Sequence, residues 1–282
     1  MAAGRGHALG AILLWGLLAA LAVRLSSIPP FLLTGVALLV GSLVGVRSLL
    51  SRPPPPAALA LGVYGLFGFH FFLFLALRHA PPVEANLVNY LWPLLIVVLA
   101  PVVVPGVKWS ARHFYAGLLG FGGAAMLIAS AADALGKGEA LGYAFAAASA
   151  LIWSTYSLLT RRFRHFPTAY VSWFCVASGA ASLACHFAFE PRYMPQGLEW
   201  VYLVALGLGP MGAAFFLWDR ALKVGDPRVI GNLAYLTPLL STLVLLATGA
   251  GAIGAVSIVA MALILAGAWL GQSDTPPTRS SA

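Results

Sequence analysis

Charged residues are scarce in this 282-residue chain: Asp, Glu, Lys and Arg together make up only 9% of it, whereas 61% of its residues are hydrophobic. The mean hydropathy is +0.91. A water-soluble domain of this size could not present such a composition to solvent, so the chain is predicted to lie in a bilayer. Cysteine is also rare. Cys175 and Cys185 are ten residues apart in one apolar stretch, on different faces of a helix, which excludes a disulfide within that helix.

Long apolar runs alternate with Pro, Gly and charge clusters along the whole chain. Because about 20 helical residues cross the hydrocarbon of a bilayer, these runs predict an all-α polytopic membrane protein with ten transmembrane helices and no room for a soluble domain. We place the helices near residues 8–25, 31–50, 57–77, 84–104, 112–131, 139–160, 168–188, 198–222, 228–248 and 252–271. The tail, residues 272–282, is rich in Ser, Thr and Pro and is predicted to be disordered and cytoplasmic.

The sixteen Lys and Arg residues divide unevenly between the two sides of the membrane if successive helices alternate in direction. Twelve fall on the side of the N-terminus, and four fall on the other side: Arg24, Arg78, Lys137 and Arg192. Because basic loops are retained in the cytoplasm, both termini are predicted to be cytoplasmic. Topology then explains the pI near 9.9 without a nucleic-acid partner. The chain is expected to be surrounded by membrane lipid, and Trp109, Trp200 and Trp269 are predicted to lie in the aromatic belt at the membrane interface.

The last five predicted helices repeat the first five. A shift of 145 residues places Pro82 on Pro227 and the run from Tyr90 to Leu95 on the run from Tyr235 to Leu240 without a gap. Two unrelated apolar helices would not also share the loop between them, so we infer a duplication, with repeats at residues 1–133 and 134–271. Five helices is an odd number, so the second repeat enters the membrane in the opposite sense. Inverted repeats of this kind enclose a site near the bilayer midplane.

These residues resemble the drug/metabolite transporter superfamily, EamA type, over essentially the whole chain. Glu84 and the string Val88-Asn89-Tyr90-Leu91-Trp92-Pro93, with Trp153 and Tyr156 on helix six, resemble the YddG-like exporters of bacterial inner membranes. The resemblance implies efflux of amino acids, often aromatic ones, through a central cavity between the halves. One position departs from the internal symmetry, because the second repeat has Thr237 where the first has Trp92.

Polar residues on helix four share one face. Asn86, Asn89, Tyr90 and Pro93 fall at i, i+3, i+4 and i+7, and the cost of polar groups in lipid predicts that this face looks inward. Pro93 also lacks the amide hydrogen that would bond the Asn89 carbonyl, so a helix break is expected there.

The second repeat offers matching groups on helix nine. Pro238 frees the carbonyl of Ala234, and Asn232 supplies a further amide. Our hypothesis is that the two freed carbonyls receive a substrate ammonium while Asn86, Asn89 and Asn232 donate to its carboxylate. The alternative is that these Asn and Pro residues only pack and kink the helices.

Aromatic residues complete the predicted site. Trp153 and Tyr156 lie on an amphipathic stripe of helix six, and such rings can stack on an apolar side chain. The other candidates are Trp15, Trp92, His70, Phe74 and Tyr235. His70 is the one residue near mid-helix that titrates around neutrality; a packing role is the simpler interpretation, and facilitated diffusion is then the simpler mechanism.

The lack of charged residues deep in the predicted helices disfavours two further classes of transporter. All eight carboxylates fall at or near helix ends or loops, which disfavours a proton-coupled exporter of cationic drugs. Lys and Arg are also absent from the deep segments, which disfavours nucleotide-sugar exchange. Asp219 beside Arg220 comes nearest to a buried charge, and we interpret the two as a self-compensating pair.

A neutral zwitterion fits what remains, and export of amino acids by alternating access is the predicted function. A membrane-embedded enzyme is disfavoured because the chain has no HExxH motif, no paired acidic motif and no long polar loop. A pore built from several subunits is disfavoured by the two-fold repeat within one chain, and a monomer is expected. No cofactor or metal is predicted. Exporters of other small metabolites or drugs remain the alternative.

Overall fold

The computed structural model describes residues 2–130, 140–247 and 254–271, apart from a few side chains that include that of Glu84. In these ranges the chain forms ten helices, which confirms the predicted fold class. They are α1 (Ala2–Gly16 and Leu18–Arg24), α2 (Pro30–Leu49), α3 (Pro56–His79), α4 (Pro82–Asn89 and Trp92–Val103), α5 (Ala111–Ser130), α6 (Ala140–Arg162), α7 (Thr168–Phe189), α8 (Leu198–Val224), α9 (Pro227–Ala234 and Leu236–Ala247) and α10 (Ala255–Leu270).

Most helix ends lie within a few residues of their predicted positions, but α1 begins at Ala2 rather than near residue 8. The first turns pack closely on the end of α8: a Cβ on Gly4 would come 2.7 Å from the Cα of Gly225. This tertiary contact stabilises a helical start that apolar patterning does not indicate. The repeat boundary at residue 133 and the tail at 272–282 lie outside the described residues. Both cysteines are free; Cys175 is buried and Cys185 is partly exposed.

Length and composition identify which helices could each cross a membrane unaided. Among the described residues, five are long and apolar enough: Pro30–Leu49, Pro56–His79, Ala85–Val103, Thr168–Phe189 and Leu198–Val224. The shorter apolar helix Ala255–Leu270 accompanies them. The outward faces carry large apolar side chains, including that of Val102, which is 79% exposed, and that of Trp269, which is 72% exposed. Such a surface is suited to lipid tails.

The helices pack in pairs that exchange when the two repeats are swapped. α1 packs on α8 as α6 packs on α3, and α1 packs on α9 as α6 packs on α4. The pairs α2 with α7 and α5 with α10 map onto themselves. The packing therefore has the pseudo-two-fold symmetry of an inverted repeat.

Backbone irregularities repeat at the same interval. α3 contains a π-helical turn at Tyr64–Gly68, and α8 contains one at Gly209–Ala213, 145 residues later. α4 breaks after Asn89 and α9 breaks after Ala234, at the same spacing. π-helical turns are rare and often mark functional sites, and here both flank the centre of the molecule.

Candidate functional site: a central aromatic cavity

A cavity of about 360 Å³ lies between the repeats, within the size range of small-molecule sites. We call the face on which α1 begins the N-terminal face, and the face on which α3 ends the opposite face. The cavity extends from the centre of the helices toward the opposite face. Its lining is mostly apolar and aromatic. The lining residues are Trp15, Leu18, Leu33, Thr34, Phe69, His70, Leu73, Phe74, Asn86, Asn89, Tyr90, Trp92, Trp153, Leu206, Pro210, Met211, Phe215 and Thr237.

Three indole rings form the central wall of the cavity. The centroids of Trp15 and Trp153 are 6.0 Å apart, and Trp92 meets both rings edge-on at 6.3 and 6.4 Å. Phe215 packs against Trp153 at 5.6 Å. Edge-to-face contacts of this kind hold each ring in place and leave apolar surface for a further ring.

Hydrogen bonds to neighbouring residues determine which donor and acceptor atoms of the cavity wall remain free to bind a ligand. The Ser149 hydroxyl donates to Asn89 Oδ1 at 3.0 Å, so the Asn89 amide nitrogen remains available as a donor. His70 Nδ1 lies 2.6 Å from the Leu66 carbonyl oxygen and donates to it, which leaves Nε2 as an acceptor.

Uncharged groups supply all the polarity that the lining shows. Among the described side chains, none that lines the cavity is Asp, Glu, Lys or Arg. The hydroxyls of Thr34 and Thr237 are buried and have no hydrogen-bond partner. Buried polar atoms are normally paired, so these two hydroxyls are exceptions within the lining. The wall suits a ligand that is neutral overall and has a large apolar part.

The two helix breaks meet beside this wall. Tyr90 follows the last residue of the first segment of α4, Tyr235 follows that of α9, and the Tyr235 hydroxyl donates to the Tyr90 carbonyl at 3.5 Å. Pro93 and Pro238 lie just inside the segments that follow. Carbonyls freed at such breaks are tolerated in a membrane where protein or cavity water can satisfy them.

Eight of the eleven ligand-contacting residues predicted from the sequence line the cavity. They are Trp15, His70, Phe74, Asn86, Asn89, Tyr90, Trp92 and Trp153. They come from α1, α3, α4 and α6, so one site collects residues from both repeats. Their contact with a substrate remains a prediction.

The structure places the other three outside the lining, each packed on a glycine of a neighbouring helix. A Cβ on Gly65 would come 2.2 Å from the ring of Tyr156, and one on Gly120 would come 2.4 Å from that of Tyr235. The Asn232 amide donates to the His113 carbonyl at 3.2 Å and packs on Gly271.

Sequence reasoning missed a lining residue that the duplication could have identified. Phe215 lies 145 residues after His70, which was among the predicted site residues. Pro210 belongs to the second π-helical turn, and its carbonyl accepts a hydrogen bond from the Trp15 indole at 3.1 Å. Applying the 145-residue shift to His70 would have placed Phe215 in the site.

A family model, described as the EamA-like transporter family, matches residues 4–129 and 140–271. The chain belongs to the EamA-like transporter family. The chain is also similar to the aromatic amino acid exporter YddG of Ancylobacter novellus, with 44% identity over 267 residues that cover 92% of this chain and 93% of that protein. A solved crystal structure overlays with a TM-score of 0.92 at 42% identity, covering 96% of this chain and 97% of that one. This EamA-like chain is thus a multi-pass membrane transporter rather than an enzyme.

Below its central rings, the EamA-like transporter is filled by buried side chains toward the N-terminal face. Trp218 is 5.1 Å from Trp15, centroid to centroid, and its indole donates to the Ser157 hydroxyl at 3.0 Å. Asp219, the next residue of α8, accepts hydrogen bonds from Thr168 at 2.5 Å and from Lys223 at 2.6 Å. The cavity therefore ends at this layer.

The structure corrects the predicted pairing of Asp219 with Arg220. The Arg220 side chain is exposed, whereas Lys223, one turn along the same helix face, forms the ion pair. Lys223 also donates to the Phe166 carbonyl at 2.7 Å, and Arg161 donates to the carbonyl of Lys223. This polar cluster ties the end of α8 to the loop between α6 and α7.

Hydrogen bonds between the repeats hold the N-terminal face together. Arg162 donates to the Val103 carbonyl at 3.0 Å, and Arg228 donates to the Lys108 carbonyl at 2.7 Å. Asp226, in the loop before α9, pairs with Arg228. Burial alone would raise the pKa of Asp226, but the hydrogen bonds and charge of Arg228 outweigh it and hold the pKa below its usual value. The Asp226 carboxylate therefore stays ionised at neutral pH and keeps Arg228 in place.

Proposed function

We propose that this protein exports aromatic and other neutral amino acids across a bacterial inner membrane by alternating access. The observation that carries the proposal is a cavity walled by three indoles and by polar groups without net charge. The name of the Ancylobacter novellus relative, an aromatic amino acid exporter, supports the same substrate class.

The polar groups divide the cavity in a way that suits a zwitterion. The Asn89 amide nitrogen, oriented by Ser149, and the neighbouring Asn86 amide are donors for the α-carboxylate. His70 Nε2 is an acceptor for the α-ammonium, and the freed carbonyls of Asn89 and Ala234 are further candidates. An aromatic side chain then lies among the indoles, where each ring contact contributes about 1 kcal/mol.

Orientation follows from the distribution of basic residues. With eleven of the fourteen described Lys and Arg residues on the N-terminal face, that face is proposed to be cytoplasmic, and the cavity then extends toward the periplasm. In this state the cytoplasmic side is closed by the layer of Trp218 and Asp219. Export requires the opposite arrangement as well, which the inverted repeats supply by rocking.

One chain is proposed to be a complete transport unit. A single chain supplies both walls of the cavity, and the repeats at residues 1–133 and 134–271 are its two moving parts. Coupling to a proton gradient is not required by the lining, because His70 uses its Nδ1 hydrogen within α3 and no carboxylate lines the cavity among the described side chains. Facilitated diffusion is the proposed mechanism.

Counterflow in proteoliposomes tests the proposal. Vesicles loaded with unlabelled phenylalanine are expected to accumulate labelled phenylalanine and, more weakly, labelled threonine, without an imposed pH gradient. Empty vesicles containing purified protein, and loaded vesicles without protein, are the controls. Failure to exchange any amino acid would overturn the substrate class. Uptake that requires a pH gradient and is lost in His70→Ala would overturn facilitated diffusion.

Export of other small metabolites or drugs is the second candidate, favoured by the largely apolar wall. The same vesicles separate the two. A labelled neutral drug that exchanges while phenylalanine and threonine do not would favour this alternative.

A further inference from the structure

The indoles of the cavity follow the pseudo-two-fold symmetry of the repeats at all but one position. The pseudo-two-fold axis exchanges α1 with α6, and a shift of 138 residues places Trp15 on Trp153 and Arg24 on Arg162. The same axis exchanges α4 with α9, and the shift of 145 residues places Trp92 on Thr237. Three of the four equivalent positions therefore carry an indole, and the fourth carries a side chain of three heavy atoms.

The position of Trp92 shows what a fourth indole would contact. Trp92 meets Trp15 at 6.3 Å, with an interplanar angle of 83°, and Trp153 at 6.4 Å, with an angle of 87°. When the two repeats are exchanged, Trp15 and Trp153 change places and Trp92 falls on Thr237. The two contacts of Trp92 are thereby mapped to the side of Trp15 and Trp153 on which Thr237 lies. A ring at the Thr237 position would therefore also lie edge-on to Trp153 and Trp15.

Thr237 occupies that position without filling it. It lines the cavity, it is only 6% exposed, and its hydroxyl has no hydrogen-bond partner. The cavity that Thr237 borders together with Trp15 and Trp153 is favourable for an aromatic group from elsewhere, because the two rings are already oriented for edge-to-face contact.

We propose that Thr237 determines specificity, because the substrate's aromatic ring occupies the space that a fourth indole would take, edge-on to Trp15 and Trp153. This inference rests on the proposed function, since it assigns one part of the same cavity to the side chain of an amino acid. It predicts that the size of residue 237 controls the preference for large over small substrates. The polar groups on α4 and α3 bind the α-carboxylate and the α-ammonium of large and small substrates alike.

Thr237→Trp tests the proposal by restoring the symmetric indole. We expect phenylalanine counterflow to fall about 10-fold or more, while threonine counterflow changes much less. Thr237→Val is the matched control, because it keeps the shape and removes the hydroxyl, and its ratio of phenylalanine to threonine exchange should equal that of the wild type. Thr237→Leu fills part of the space and should give an intermediate ratio, which serves if the tryptophan variant does not fold. Equal loss of both substrates in Thr237→Leu, or in a folded Thr237→Trp, would overturn the proposal.

Indole itself provides a readout that does not depend on transport. We expect indole to raise the thermal unfolding midpoint of wild-type protein and of Thr237→Val in detergent, and to leave that of Thr237→Trp or Thr237→Leu nearly unchanged. A wild type that exchanges no amino acid but shows this pattern would overturn the proposed function and retain the ring site. A shift of the same size in every variant would place indole elsewhere and overturn the ring site.

Discussion

Equivalent positions near the ends of α3 and α8 carry Phe74 and Asp219, which lie 145 residues apart. Phe74 lines the cavity, with its ring 5.3 Å from that of Phe31. Asp219 is 2% exposed and bonds to Thr168 and Lys223. Phe74, near the end of α3, therefore borders open space, whereas the end of α8 is tied to the first residue of α7.

This difference shows how a duplicated backbone gives a cavity that extends to one face only. The π-helical turns and the helix breaks occur in both repeats at the same spacing, so the backbone alone would give two similar ends. The side chains decide which end is closed. The ion pair of Asp219 with Lys223, 2.6 Å long and kept from solvent, holds α8. At the equivalent positions of α3, Phe74 is apolar and the half-exposed Arg78 approaches Glu190 only to 4.0 Å, a longer and more solvated contact.

Trp153→Ala should have the largest effect on transport. Trp153 contacts Trp15, Trp92 and Phe215, so its removal takes a wall from the proposed ring site. Loss of its contact with the substrate ring and of the contact that holds Trp15 in place, about 1 kcal/mol each, lowers phenylalanine counterflow about 30-fold. Trp15→Ala, at the equivalent position, should have an effect of similar size if the two repeats share the substrate equally.

Trp200→Ala is the control for both variants, because Trp200 is 43% exposed and lies outside the cavity lining. It should leave counterflow unchanged. A Trp153→Ala protein that retains its unfolding midpoint and still exchanges phenylalanine at the wild-type rate would contradict the assignment of this wall.

Asp219→Asn should have a large effect on stability. It removes the negative charge that neutralises Lys223, whose buried ammonium group then has only uncharged acceptors, the new side-chain amide oxygen and the Phe166 carbonyl. Removing one member of a buried pair costs about 3–5 kcal/mol, so the thermal unfolding midpoint in detergent should fall clearly. Arg220→Gln is the matched control, because this neighbouring side chain is exposed, and its midpoint should equal that of the wild type.

Phe74→Leu sharpens the same comparison at the equivalent position of the first repeat. It should change phenylalanine exchange with little change in the midpoint, because the ring borders a cavity. Equal midpoints for Asp219→Asn and wild type would show that the closed end does not depend on this ion pair.

Composition and the internal repeat were sufficient to predict the fold. Ten apolar runs and the 145-residue shift fix the number, order and relation of the helices, because the bilayer admits few alternatives. The π-helical turns could not be predicted, since they depend on tertiary packing. Helical spacing did contain the partner of Asp219: Lys223 lies at i+4 on the same face, whereas Arg220 at i+1 points about 100° away.

The sequence predicted only part of the cavity lining. One physical reason explains why some of the predicted residues line the cavity and others do not. Periodicity identifies an inward face but does not distinguish a side chain that meets open space from one that meets a neighbouring helix. Tyr156 and Tyr235 face inward, and each packs on a glycine, Gly65 and Gly120. Which helix presents these glycines depends on tertiary packing, which one sequence does not give.

The helix breaks provide the smallest expected effects and the most direct comparison of the two repeats. Pro93→Ala restores an amide hydrogen that can bond the Asn89 carbonyl, which straightens α4 where Tyr90 and Trp92 line the cavity. One regained hydrogen bond of about 1 kcal/mol opposes the broken geometry and should lower phenylalanine counterflow about fivefold, with little change in the unfolding midpoint. Pro238→Ala does the same in α9, which contributes only Thr237 to the described lining, so its effect should be smaller. A larger loss in Pro238→Ala than in Pro93→Ala would show that the break in α9 has a part in transport that its lining does not reveal.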